Sequence, residues 1–215
     1  MLVWQLADSA FPTGGFAHSA GLEAAWQAGE VPSPEHLKAF IRESLWQAGR
    51  GQLPLASSAY EAPARLQALD ALCQAFLTNV VSRRASCVQG RAMAATCARI
   101  WPGDPMSALE AEVRGLHGHY APIFGVCLSR LGVPLDQAQS LFLFLVLRGL
   151  TSAAVRLGIV GPYASQRLQF DCSRDVNIVH ARCTMLRDTD IAQTAPLLDL
   201  LQASHDRLYS RLFVS

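Results

Sequence analysis

Apolar residues recur with a helical period along almost the whole chain. Positions three and four apart lie on one face of an α-helix, so this recurrence predicts helices that each bury one apolar stripe. No alternating run of apolar and polar residues, bounded by turn residues, predicts an exposed strand. The pattern therefore predicts an all-α fold, a single-domain helical bundle of about ten helices that spans residues 1–215.

Start and stop signals set the bounds of several predicted helices. Ser33 as N-cap and Pro34 in the first turn begin a helix that buries Leu37, Phe40, Ile41 and Leu45. A second stripe follows Pro63 and consists of Leu66, Leu69, Cys73, Phe76 and Leu77. A further helix is predicted over residues 82–100, because Trp101, Pro102 and Gly103 stop it.

The predicted helix over residues 134–158 is the most apolar of the chain. Its residues 141–147 are apolar on every side, which predicts a central helix that is buried all round. Arg148, Ser152 and Arg156 follow at successive four-residue spacings and form a narrow polar seam. The arginines of such a seam need carboxylate or carbonyl partners inside the protein.

The composition indicates a protein that has more apolar residues than its core can bury. Of the 215 residues, 51% are hydrophobic and 16% are charged, and the formal net charge is +1. Apart from the adjacent Arg83 and Arg84, basic residues occur singly, which argues against nucleic acid or a membrane surface as a partner. The longest apolar run is too short to span a bilayer, and the first residues lack the basic start of a secretory signal. We therefore expect a soluble, cytoplasmic protein whose six cysteines, without CxxC spacing, are reduced core residues.

His117 and His119 are the best metal-ligand candidates in the sequence. Two imidazoles one residue apart in a loop suit nickel, which accepts nitrogen ligands. No nearby Cys, Asp or Glu completes a ligand pattern, so local hydrogen bonding by the histidines is the favoured interpretation. The glycine-rich residues 12–16 lack the GK[ST] ending of a phosphate loop and are interpreted as a tight turn. No catalytic residue and no metal site are assigned, and the histidine pair stays a weak candidate.

Five short blocks, in order along the chain, resemble the motifs of the UreF family of urease accessory proteins. The first is QLADSAFPTGGFAHS at residues 5–19, and the second combines SRRAS at residues 82–86 with QGRA at residues 89–92. The others are HGHYAPIFG at residues 117–125, AAVRLG at residues 153–158 with GP at residues 161–162 and QR at residues 166–167, and RLFVS at residues 211–215. Each block is short, but their order makes the combination specific over essentially the whole chain.

The resemblance implies a non-enzymatic scaffold that helps insert nickel into apo-urease. It implies a homodimer that bridges a UreD/UreH-type accessory protein and the GTPase UreG and regulates GTP-dependent nickel delivery. Nickel is then the transferred cargo, GTP is bound by the partner GTPase, and this chain binds no cofactor stably. Residues 204–215 are expected to be a partner-docking tail, flexible alone and ordered by the UreD/UreH-type partner, with Arg211 among the residues that fix it.

The resemblance also implies where partners bind. The expected residues lie in the first block, on one face of the helix over residues 82–100, and in the tail. They are Pro12, Gly14, Gly15, Phe16, His18, Ser19, Arg84, Arg91, Tyr209, Arg211, Leu212, Phe213 and Ser215.

Two other functions stay open from the sequence. One is a small helical metal-dependent enzyme that uses His117 and His119, which would need a third ligand and a general acid or base. The other is a plain helical dimerisation module, which has no need of an apolar tail. The seam of Arg148, Ser152 and Arg156 is in addition a candidate border of a nickel route through the assembled complex.

Overall fold

The computed structural model describes residues 1–215, and helices make up its regular structure. The eleven α-helices are α1 Leu2–Leu6, α2 Leu22–Gln27, α3 Pro34–Gln47, α4 Leu53–Glu61, α5 Leu66–Phe76, α6 Val80–Ile100, α7 Asp104–Val113, α8 Tyr120–Arg130, α9 Leu135–Arg156, α10 Pro162–Cys183 and α11 Pro196–Ala203. No β-strand is present, so the predicted all-α fold is confirmed. One hydrophobic cluster of 44 buried residues runs through the helices and forms the core.

The predicted starts of α3 and α6 agree well with the structure. α3 begins at Pro34, and its buried residues are the four predicted from the stripe, namely Leu37, Phe40, Ile41 and Leu45. α6 begins slightly before the predicted Ser82, because Asn79 caps it. The side-chain oxygen of Asn79 accepts the backbone N–H groups of Val81 at 2.9 Å and of Ser82 at 3.4 Å. Such a cap satisfies donors that have no partner inside the helix.

α3 continues into α4 through a five-residue π-helical turn. Pro54 has no backbone N–H, so the carbonyl of Arg50, four residues earlier, lacks its helical donor. The backbone N–H of Ala192 donates to that carbonyl instead, at 3.0 Å. Gly49 lets α10 approach the turn, because a Cβ at this position would lie 3.2 Å from Cys183 Sγ. The sequence pattern did not predict this continuous rod, since its glycines and its proline are typical of a break.

α8 lies in the middle of the core and has its most extensive contact with α4. Its residues 121–128 are all buried. Gly125 lies where the two helices touch, since a Cβ there would be 3.0 Å from the backbone nitrogen of Tyr60 and closer still to the carbonyl oxygen of Ala56. The contact is between two backbones, so the pair of helices depends on a residue without a side chain at this position.

The prediction that α9 is buried on every side is wrong. Leu145 and Val146 are only partly buried, and Gly149 is exposed. These three residues line a cavity, while Leu145 and Val146 also pack against the core. α9 is also the one helix that is long and apolar enough to cross a membrane by length and composition, and 56% of its most apolar window is buried inside the protein. Its burial is that of a core helix with one open face.

Candidate functional site

Most of the first motif block forms the connection between α1 and α2. Gly14 has a φ of 74°, in the left-handed region that glycine tolerates best. A single 3-10 turn over Gly15–Ala17 follows. The carbonyl of Pro12 accepts a hydrogen bond of 2.9 Å from Thr96 Oγ1 on α6, which ties the loop to the bundle. The tight turn predicted for the glycine-rich stretch is therefore confirmed.

Residues 209–215 pack against this loop, although nearly the whole chain separates them in sequence. The backbone N–H of Val214 donates to the carbonyl of Ala17 at 2.8 Å, and that of Ser19 donates to the backbone oxygen of Ser215 at 2.6 Å. Nδ1 of His18 lies 2.5 Å from Oγ of Ser215. Two segments that the sequence indicated separately thus form one unit. We call residues 12–19 and 209–215 together the signature-tail surface.

A buried carboxylate that the sequence analysis did not single out holds the tail in place. Glu23, in the first turn of α2, is 1% exposed. One of its oxygens accepts the backbone N–H of Leu212 at 2.6 Å, and the other accepts that of Phe213 at 3.1 Å. The second oxygen also lies 3.0 Å from Nε2 of His205, which is 0% exposed. Acidic residues in a first helical turn commonly complement the helix dipole, so nothing in the sequence distinguished Glu23 from a solvent-facing glutamate.

Of the two α6 arginines expected to bind partners, only Arg84 contacts the tail region. Its guanidinium donates to both oxygens of Asp206 at 2.8 and 3.1 Å, and this contact lowers the pKa of Asp206. Arg211 donates to the same carboxylate at 3.3 Å, so Asp206 connects α6 with the tail. Arg91 lies elsewhere, beside Gly118, where a Cβ would be 2.7 Å from Cγ of Arg91. The structure therefore does not bring the two arginines to one site.

The outer side of the signature-tail surface carries four exposed apolar side chains beside the exposed Ser210 and Arg211. Tyr209 is fully exposed, and Phe16, Leu212 and Val214 are each more than half exposed. Phe213, in contrast, is buried and anchors the tail in the core. Apolar side chains that face water on a hydrogen-bonded frame are typical of a surface that another protein covers.

The two arginines of the α9 seam have carbonyl partners inside the chain, as predicted. Arg148 donates to the carbonyl of Ala7, and Arg156 donates to that of Phe16. The guanidinium of Arg156 also lies between two aromatic rings, 3.8 Å from the centroid of Phe16 and 4.1 Å from that of Phe213. Arg156 thus joins α9 to both parts of the signature-tail surface.

A second buried carboxylate, that of Asp70, holds the segment with His117 and His119. Asp70 accepts the backbone N–H groups of both histidines at 2.8 Å and that of the glycine between them at 3.1 Å. The ring of His119 is buried, with Nδ1 3.1 Å from Ser86 Oγ and Nε2 2.8 Å from Gln74 Oε1. Both ring nitrogens already have partners, which favours a structural role over metal ligation. No group of three or more His, Cys, Asp or Glu side chains is arranged to hold a metal ion.

Acid is expected to destabilise the protein through His119. Burial lowers the pKa of His119 from 6.5 to about 4, although the carboxylate of Asp70 acts in the opposite direction. The unfolded chain therefore binds a proton at this residue between about pH 6.5 and pH 4 that the folded chain excludes. The free energy of unfolding should fall as the pH falls through this window, by at most about 3 kcal/mol. Urea unfolding at several pH values measures the slope.

His119→Gln is expected to remove most of this pH dependence. A smaller part should remain, because burial and the nearby Arg84 also lower the pKa of His18. His36→Gln is the matched control, since His36 is exposed on α3. An unchanged slope in His119→Gln would show that His119 is not the responsible group.

Known proteins resemble this chain over nearly its whole length. The family model for UreF matches residues 31–173. Urease accessory protein F of Arabidopsis thaliana is 38% identical over 218 residues, which cover 99% of this chain and 91% of the relative. Urease accessory protein F of Oryza sativa subsp. japonica is 38% identical over 216 residues, 98% of this chain and 83% of the relative. Urease accessory protein UreF of Arthrobacter sp. (strain FB24) is 32% identical over 213 residues, 98% of this chain and 95% of the relative. The chain therefore belongs to the UreF family of urease accessory proteins.

Proposed function

We propose that this chain is a non-enzymatic scaffold for urease maturation. Membership of the UreF family supports a role in that maturation. The finer proposal is a cytoplasmic homodimer that bridges a UreD/UreH-type accessory protein and the GTPase UreG, and that regulates GTP-dependent insertion of nickel into apo-urease. Nickel is the cargo, GTP is bound by UreG, and this chain holds no cofactor stably.

The signature-tail surface is the observation that supports binding to other proteins. Hydrogen bonds to Glu23 and between the two segments form its inner side, and apolar side chains form its outer side. Interface centres are rich in aromatic residues, and a single exposed tyrosine there often contributes strongly to affinity. We propose that the UreD/UreH-type protein covers Tyr209 and Leu212, and that UreG contacts the side formed by Phe16.

The tail is docked on its own chain, and its ordering by a partner stays a prediction. Residues 209–215 contact the signature loop and Glu23. A segment that is ordered in advance avoids the entropy cost of ordering during binding. Residues 204–215 remain the proposed partner-docking segment, but the partner meets them in folded form.

Tyr209→Ser is expected to weaken binding of the UreD/UreH-type partner by at least about tenfold, because an aromatic residue at an interface centre commonly contributes about 2 kcal/mol or more. The side chain of Tyr209 touches solvent only, so the free energy of unfolding should stay within about 0.5 kcal/mol of the wild type. Calorimetry with the purified partner measures the affinity. Tyr163→Ser is the matched control, since Tyr163 is almost fully exposed on α10.

Urease activation in cells that lack their own UreF protein provides the functional readout of the same change. The full chain with its partners should restore urease activity, and a chain without residues 209–215 should not. Undiminished partner binding by both Tyr209→Ser and the truncated chain would contradict the proposed surface. Failure of the full chain to restore activity would contradict the proposed function itself.

The alternative of a metal-dependent enzyme has no specific observation in its favour. Gln74 and Ser86 engage the ring of His119, and the histidine pair has no third ligand. The alternative of a plain dimerisation module leaves the tail and its buried carboxylate frame without a purpose. The scaffold proposal uses both.

A further inference from the structure

A cavity of about 720 Å³ lies beside the signature-tail surface. Its floor is the open face of α9, with Leu145, Val146 and Gly149, and its walls come from residues 9–16, α6 and α11. Cavities of roughly 300–1,000 Å³ enclose most of the surface of a small ligand. The proposed contacts with other proteins make no use of this floor.

Two arginines of α9 line the cavity without a carboxylate partner. Arg148 and Arg156 each donate to one main-chain carbonyl. Of the 17 arginines, nine form no ion pair with an aspartate or glutamate, and Arg148 and Arg156 are the two of these that line the cavity. The eight paired arginines are Arg42, Arg65, Arg84, Arg114, Arg130, Arg167, Arg187 and Arg211. Burial lowers the pKa of Arg148, although Tyr120 and the carboxylate of Asp8 act in the opposite direction, and no carboxylate forms an ion pair with its guanidinium. A partly buried cation without a counterion is unfavourable, and an anion from outside the protein would relieve that penalty.

The rest of the cavity wall does not supply this counterion. Asp199 is its only acidic residue, and burial raises the pKa of that carboxyl. Asp199 accepts a hydrogen bond from Gln47 Nε2 at 3.4 Å and pairs with no arginine. His18, which also lines the cavity, is engaged with Ser215. The lining thus combines positive charge with an apolar floor.

We propose that the cavity binds a small organic anion, with its carboxylate or phosphate group on Arg148 or Arg156 and its apolar part on the floor of α9. A guanidinium presents five N–H donors in a planar fork that matches both groups, and each of these arginines uses few of them within the protein. Ser152 lines the cavity between the two arginines and adds a hydroxyl donor. The arginines are about 12 Å apart along the helix axis, so a ligand that reaches both carries anionic groups at two ends.

The same charges repel a bare divalent cation. The seam of Arg148, Ser152 and Arg156 therefore borders a nickel route only if an anion accompanies the metal. The proposed anion site rests on the cavity and its arginines and not on the identity of the partner, although Phe16 belongs both to the cavity lining and to the signature-tail surface.

Calorimetric titration of the full chain at constant ionic strength tests the site, with citrate as the carboxylate probe and phenyl phosphate as the phosphate probe. We expect saturable binding of at least one probe at one equivalent per chain, and the probe that binds identifies the anionic group. Arg148→Gln or Arg156→Gln should weaken this binding about tenfold, as the loss of a charged hydrogen-bond donor typically does. Arg174→Gln is the matched control, because Arg174 is exposed on α10 and does not line the cavity.

Gly149→Leu is a second test that leaves both arginines in place. A Cβ at Gly149 meets no atom within 4 Å, so the side chain starts without strain and extends into the cavity that Gly149 lines. We expect it to abolish probe binding while circular dichroism shows a retained helical fold. Absence of binding by both probes at millimolar concentration, or equal binding by the wild type and Gly149→Leu, would overturn the proposal.

Discussion

Replacement of Glu23 by alanine is expected to lower the free energy of unfolding by about 3 kcal/mol and to release the tail. The substitution leaves the backbone N–H groups of Leu212 and Phe213 without their acceptor, and it removes the partner of the buried His205. Each buried polar group that loses its partner costs about 1–3 kcal/mol. Urea unfolding measures the loss of stability, and hydrogen exchange of residues 209–215 measures the release.

Glu43→Ala is the matched control for this prediction. Glu43 is an exposed glutamate of α3, and its removal should change stability by less than about 0.5 kcal/mol. Glu23→Gln keeps one acceptor oxygen, so its loss of stability should lie between those of Glu43→Ala and Glu23→Ala. Tail amides that exchange in Glu23→Ala as slowly as in the wild type would show that this carboxylate does not hold the tail.

Glu23→Ala also distinguishes the two parts of the signature-tail surface, which are the buried hydrogen bonds that hold the tail and the exposed side chains that contact the partner. The change removes no exposed side chain, yet it should reduce partner binding, because Leu212 and Tyr209 are no longer held in position. Tyr209→Ser should reduce binding without loss of stability. If buried hydrogen bonds hold the binding surface in place, Glu23→Ala should lose both stability and binding, and Tyr209→Ser should lose binding alone.

Gly125→Ala is expected to destabilise the protein by about 4 kcal/mol or to prevent folding. The added Cβ would lie 3.0 Å from the backbone nitrogen of Tyr60 and closer still to the carbonyl oxygen of Ala56. Neither atom belongs to a flexible side chain, so α4 and α8 must separate and their buried apolar contacts are lost. Circular dichroism and urea unfolding measure the effect.

Gly149→Ala is the control for a glycine inside a helix. No atom lies within 4 Å of a Cβ at Gly149, so only the helix propensity changes. Alanine is better than glycine in a helix interior by about 0.5–1 kcal/mol, and the variant should gain roughly that amount. A Gly125→Ala protein as stable as the wild type would contradict the close approach of α4 and α8.

The candidate site was only partly accessible from the sequence. The motif blocks indicated the first loop and the tail as separate segments, and the structure places them in one surface. Asp206 joins Arg84 to Arg211, whereas Arg91 lies beside the histidine segment. Helical spacing placed Arg84 and Arg91 on one face of α6, but spacing does not show which neighbouring element covers each turn of that face.

The sequence by itself determined the all-α fold, the start of α3, the stop after α6 and the apolar stripes. Caps, prolines and periodic stripes act over about one helical turn, so these features are readable from neighbouring residues. Only the tertiary structure decided that Glu23 is buried, that α9 has an open face, and that α3 and α4 form one rod. The sequence shows the same carboxylate, leucine or proline whether the residue is buried or exposed, and inside a helix or at its end. Contacts with residues far away in sequence decide between these environments.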